Sequence, residues 1–102
     1  MDRIAALTDL LTHDPNNAFA RYGLAMEYSN SGDFGRALEE FGKLLAANPN
    51  YVPGYHMCAQ TQVKAGRTQE AKTTLENGIV AAQRKGDSHA EAEMAALLEE
   101  LG

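Results

Sequence analysis

Residues 30–41 read NSGDFGRALEEF, and the fold follows from how this stretch is parsed. A helical pattern runs into Asn30 and meets Gly32, the residue type that takes up the left-handed backbone beyond a helix end at no steric cost. Asp33 follows, with a short acceptor side chain suited to capping the next helix. Phe34, Ala37, Leu38 and Phe41 then return at the spacing of one helical face. A dozen residues thus hold a helix end, a tight turn and a helix start. A related stretch, KAGRTQEAKTTL, occupies residues 64–75, with Gly66 and Ala71 each 34 residues beyond Gly32 and Ala37.

Working outward at that shift, Pro15 aligns with Pro49 and Ala25 with Ala59, and Leu7, Phe41 and Leu75 fall on one line. A fixed period of this length is the signature of stacked helical hairpins, because neither helix of such a unit buries its apolar stripe alone. The periodicity predicts helices over residues 2–13, 17–30, 34–47, 51–64, 68–83 and 88–101, with breaks at HDPNN, at Asn48-Pro49-Asn50 and at RKGD. Asn50 is the expected cap of the fourth helix, with Pro53 in its first turn, where a missing N–H costs little. Ser88 and Glu91 have the spacing of a reciprocal capping box for the last helix. Gly78, mid-helix, predicts either a close helix contact or local fraying. The expected architecture is all-α: antiparallel helical hairpins stacked as a short right-handed solenoid closed by a C-terminal capping helix. Its expected divisions within one domain, 1–102, are a leading helix at 2–13, repeats at 18–51 and 52–85, and a cap at 88–101.

Composition narrows the function classes. The 102 residues are 44% hydrophobic and 23% charged, with a net charge of −5, as in a globular domain. Basic residues are scattered apart from Arg84-Lys85, so no phosphate-tracking stripe is read and no nucleic-acid partner is expected. The apolar runs are too short to cross a bilayer, and MDRIAALTDLL lacks a basic segment followed by a long apolar core, so neither membrane partner nor secretory signal is expected. Cys58 is the single cysteine, which fits a reducing, cytoplasmic setting. His56 and Cys58, two apart on a helix, point to different faces and make a poor chelating pair. The paired carboxylates flank apolar residues and read as solvated helix faces. No phosphate loop or nucleophile elbow is present. The expectation is therefore no catalysis, no metal and no cofactor.

The stretch RYGLAMEYSNSGDFGRALEEFGKLLAANP at 21–49, with its 34-residue echo, resembles the tetratricopeptide repeat family. Leu24, Ala25, Tyr28, Gly32, Phe34, Ala37, Phe41 and Pro49 fall on family positions in the first unit. Tyr55, Ala59, Gly66, Ala71 and Leu75 do so in the second. The sequence departs from the family pattern at Arg21, where tryptophan is frequent, and at Cys58, Gln62, Thr68 and Gln83. The resemblance covers residues 18–83. It implies that the first helices of successive units line an inner face that binds a peptide or protein surface.

On that face the candidates are Phe19, Tyr22, Met26 and Asn30 from one unit and His56, Gln60 and Lys64 from the next, with Ser29, Pro53 and Val63 beside them. Some family members grip a C-terminal carboxylate here with lysine, arginine and asparagine. Tyr22 and Met26 stand at two of those positions, which argues against that subtype. Two arrangements are open at this point: an exposed groove, or a stripe covered by helix 2–13 or 88–101. Two functions are open as well: a non-enzymatic module for a separate protein or peptide, or a structural homodimer that uses the same stripe.

Overall fold

A computed structural model describes residues 2–102 and shows six helices: α1 (Arg3–His13), α2 (Ala18–Asn30), α3 (Phe34–Ala47), α4 (Val52–Lys64), α5 (Thr68–Lys85) and α6 (Ser88–Leu101). Among the described residues there is no strand. Each helix packs on the next in chain order, as antiparallel hairpins must when their turns are short.

The turns account for this topology. At Gly32 (φ 83°) the Asp33 N–H reaches back to the Tyr28 carbonyl at 2.9 Å and the Gly32 N–H to Ser29 at 3.1 Å. Gly66 (φ 78°) repeats both bonds with Gln62 and Val63. This paired pattern satisfies carbonyls that a helix end leaves orphaned, and its left-handed residue favours glycine. Start signals complete the turns: Asp2, Asn17 and Asp33 accept from the backbone N–H three residues on, at 2.8, 2.9 and 3.2 Å.

Two expected caps are corrected. Asn50 does not cap α4. Tyr51 occupies the cap position; its side chain has no acceptor near the backbone to cap with, and its ring packs against Tyr22. The reciprocal box at Ser88 and Glu91 is not formed either. Asp87 caps α6 one residue earlier, accepting from Ala90 N–H at 3.0 Å. That leaves Glu91 too far along to reach back, and its carboxylate receives the Gln83 amide at 2.9 Å.

Small residues set the spacing of the stack. Ala25 and Ala37 are fully buried in one apolar cluster with Phe41 and Leu44, and Ala59 and Ala71 in another with Leu75 and Met94. A third, smaller cluster of Leu11, Ala20 and Leu24 seats α1 on α2. The helices then form two layers. In one, α2 touches α4 and α4 touches α6; in the other, α1, α3 and α5 do not touch one another. Closer approach on one side is the geometry of a curved stack, and it makes α2, α4 and α6 the inner layer.

Gly78 resolves in favour of close contact. A Cβ built there would lie 2.6 Å from Met94 Sδ and 2.6 Å from Tyr55 Cβ, so three helices meet at this point. In an exposed helix Gly78→Ala would gain about 1 kcal/mol from propensity. Here overpacking costs about 1–3 kcal/mol, and the expected net result is a lower urea midpoint. A variant at least as stable as the parent would contradict this packing.

Candidate functional site

The inner face is built from residues of α2 and α4. Phe19, Tyr22, Met26 and Asn30 follow one another at helical spacing on α2, and His56, Gln60 and Lys64 do so on α4. Neither flanking helix covers the stripe on α2. α1 packs on α2 through the Leu11–Leu24 cluster, and α6 touches α4 and α5 but not α2.

Exposure is uneven along the stripe. Phe19 is 76% exposed, the most exposed large hydrophobic residue among those described. Asn30 and Lys64 are exposed, whereas Tyr22, Met26, His56 and Gln60 are half-buried. Tyr22 meets the Phe41 ring edge-on at 6.4 Å and the Tyr51 ring at 5.5 Å. Met26 packs on the same cluster. The middle of the stripe is thus rooted in the core, while its two ends face solvent.

Polar contacts fix the face. Ser29, counted from sequence among the exposed inner residues, is instead buried, and its hydroxyl lies 2.9 Å from that of Thr61. Thr61 also donates to the Met57 carbonyl at 2.9 Å. Burying two hydroxyls requires such mutual satisfaction, and the pair ties α2 to α4 across the repeat boundary. On α4, His56 Nε2 and Gln60 Nε2 lie 3.1 Å apart, one turn from each other. On the opposite side of α2, Arg21 donates to Glu40 at 2.7 Å and to the Pro15 carbonyl at 3.3 Å, bracing α2 against α3. Val63 is half-buried against the second cluster, and Pro53 is exposed.

Sequence reasoning missed Tyr51 and Met57, which complete the aromatic and thioether floor beside Tyr22 and Met26. No local signal marked Tyr51, because Asn50 reads as the cap and Tyr51 as the first helical residue until the Tyr22 ring is placed beside it. Burial raises the Tyr22 phenol pKa, with Tyr51 adding to it, and burial likewise raises that of Tyr51. Both hydroxyls stay neutral around pH 7, so the floor is apolar and uncharged.

Among the described residues, the best-formed cavities are lined by none of the stripe residues Phe19, Tyr22, Met26, His56 and Gln60. The cavities lie at turn corners or between α1 and α3 on the outer side, and the most enclosed, at Pro15, Asn17, Arg21 and Asn48, holds about 160 Å³. That is below the usual range for small-molecule sites. Among the described residues, no group of three or more His, Cys, Asp or Glu side chains is placed to hold a metal ion, and no helix is long and apolar enough to cross a membrane. Cys58 is buried between the hairpins.

The chain matches the family model described as tetratricopeptide repeat over residues 29–101. It is similar to a tetratricopeptide repeat-containing protein of Pseudomonas aeruginosa, with 32% identity over 98 residues, 96% of this chain and 93% of that one. Among solved structures it resembles a tetratricopeptide repeat domain protein from Salinibacter ruber (TM-score 0.80, 29% identity, 85% of this chain and 88% of that one). It also has the fold of the TPR2B domain of yeast Sti1, solved in complex with pHsp70 (TM-score 0.89, 19% identity, 96% of this chain and 78% of that one).

Burial raises the Cys58 thiol pKa to about 11; a hydrogen bond with Thr74 opposes the shift and the Glu70 charge adds to it. At pH 8 roughly one thiol in a thousand is then ionised. Labelling by a disulfide reagent at pH 8 is expected to be at least about tenfold slower in the native protein than in urea. The folded-state pKa lies above the unfolded one, so the stability this group contributes is complete below pH 9 and is lost as pH rises towards 11. Equal labelling rates would contradict the burial.

Proposed function

We propose, from the premise that the chain belongs to the tetratricopeptide repeat family, that it is a non-enzymatic interaction module whose inner face binds a peptide or protein surface. The observation that carries this reading is the Phe19–Tyr22–Met26 stripe: apolar, rooted in the core at its centre, uncovered by α1 or α6, and ending in a phenylalanine 76% exposed. A solvated aromatic costs solubility unless a partner covers it, and aromatic and methionine side chains are enriched where proteins meet. That the Sti1 domain of the same fold was solved with a bound partner adds support.

Asn30, His56, Gln60 and Lys64 form the polar border of the proposed site. Tyr22 and Met26 supply the floor, and Phe19 is the anchor. A rim that is mostly uncharged beside an apolar floor suits recognition of side chains better than capture of an acidic terminus. The proposal includes a cytoplasmic setting, supported by the single cysteine. The same stripe would also serve a homodimer, and the first experiment separates the two.

Light scattering coupled to size exclusion, across roughly 5–200 μM protein, is expected to return a constant mass near 11.0 kDa. A mass near twice that, returned to the monomer by Phe19→Ala, would assign the face to self-association and overturn a separate partner. Phe19→Ala should change stability by no more than about 0.5 kcal/mol, since the side chain is solvated, while abolishing partner capture. Tyr22→Ala is less clean, because its contacts with Phe41 and Tyr51 add a stability loss.

A further inference from the structure

The charge around the inner face points to one chemistry of partner, and the inference rests on the inner-face reading. The third inner helix, α6, carries Glu91, Glu93, Glu99 and Glu100 and no lysine or arginine. Counting 100° per residue from buried Met94, Ala92 and Ala96 face the open side, and Glu93 and Glu100 lie on the flank nearest α4. Glu91 is held by Gln83. The only ion-pair contact of Glu93 among the described residues is His89, at 3.2 Å, which is charged only if protonated. Glu100 has no ion-pair partner among the described residues, and Lys72, the cation beside the end of α6, donates to the Gly102 carbonyl. Lys72 thus meets the terminal carbonyl and leaves the Glu93 and Glu100 carboxylates without a lysine or arginine partner among the described residues. Lys64, the one lysine or arginine at the inner positions of α2 and α4, projects from the flank of α4 that carries Thr61 and faces α2, away from α6.

We infer that the partner is an extended polypeptide segment that seats an apolar side chain against Phe19 and Met26 and places a lysine or arginine at Glu93 and Glu100. Helix spacings of about 8–10 Å put α2 and α6 roughly 20 Å apart across the face. At about 3.3 Å per extended residue, the two anchors are about six residues apart in the partner. This charge preference is the reverse of that of a carboxylate-gripping groove. It divides the work: the apolar end supplies affinity, and the acidic end supplies orientation and a salt-dependent on-rate.

The test is selection from a random 12-residue phage-displayed peptide library on the full chain, followed by fluorescence anisotropy of synthetic selected peptides. Selected peptides are expected to pair an aromatic or aliphatic residue with a lysine or arginine about six positions away. Their binding should weaken at least about tenfold with Phe19→Ala and about fivefold with the double variant Glu93→Gln/Glu100→Gln. It should also weaken as salt is raised. Both sets of side chains are solvent-facing, so a matching melting temperature certifies the fold of each variant. Peptides that need Phe19 but lack a basic residue, or ignore the glutamine variant, would overturn the basic partner and leave the inner face standing. Selected peptides indifferent to Phe19→Ala, or no enrichment at all, would overturn both.

Discussion

Close helix approach is the constraint on which this structure depends, and a small residue enforces it at one interface after another. At the α1–α2 contact the approach is looser, since a Cβ at Gly23 would meet Leu7 at 3.4 Å, an ordinary van der Waals distance. Ala25 and Ala37 are fully buried within the first hairpin, and Ala59 and Ala71 within the second. Gly54 sits 3.0 Å, measured from its would-be Cβ, from both Leu44 and Leu45 where the hairpins join. Gly78 ends the series under Met94 and Tyr55. Larger side chains at these places would push the helices apart, and a stack whose neighbours share every cluster has no independent unit to absorb the shift. The large apolar residues then fill what the small ones leave: Phe41, Leu44, Leu75 and Met94 are completely buried.

The same constraint shapes the inner face. Drawing α2 against α4 closes the inner layer, buries the Ser29–Thr61 pair between them and leaves the next positions around each helix to the open side. Tyr22 is caught between these conditions. Its ring is wedged against Phe41 and Tyr51, yet its neighbour one turn earlier, Phe19, has nothing over it. A surface whose floor belongs to the core is rigid before a partner arrives, which lowers the ordering cost of binding. The acidic α6 extends that surface with a different character, carrying four glutamates and no lysine or arginine.

The helices and their order were legible in the sequence because they rest on local signals repeated at one period: glycine after the helix, an acceptor before it, alanine at the crossing. What was not legible depended on neighbours. Tyr51 stands in the cap position, and its ring packs on one from α2. Ser29 reads as one more exposed polar residue until Thr61, 32 positions away, is placed opposite it. The helix expected at 68–83 continues to Lys85, and this added length offsets α6 from the 34-residue register, so Met94 takes the place that Cys58 holds in α4. For the candidate face, the α2 stripe was visible from spacing. Its partial burial was not, since that depends on how far α3 and α4 reach over it.

The most direct test of an open inner face is fluorine NMR of the protein labelled at its 3 phenylalanines, comparing resonance positions in light and heavy water at low and high protein concentration. The account predicts a full solvent isotope shift for Phe19 at every concentration and none for Phe41, which is completely buried. A Phe19 resonance insensitive to solvent when dilute would mean that a flanking helix covers the face. One that becomes insensitive only on concentration would mean that a second copy does. Either result would contradict an inner face held open for a separate partner.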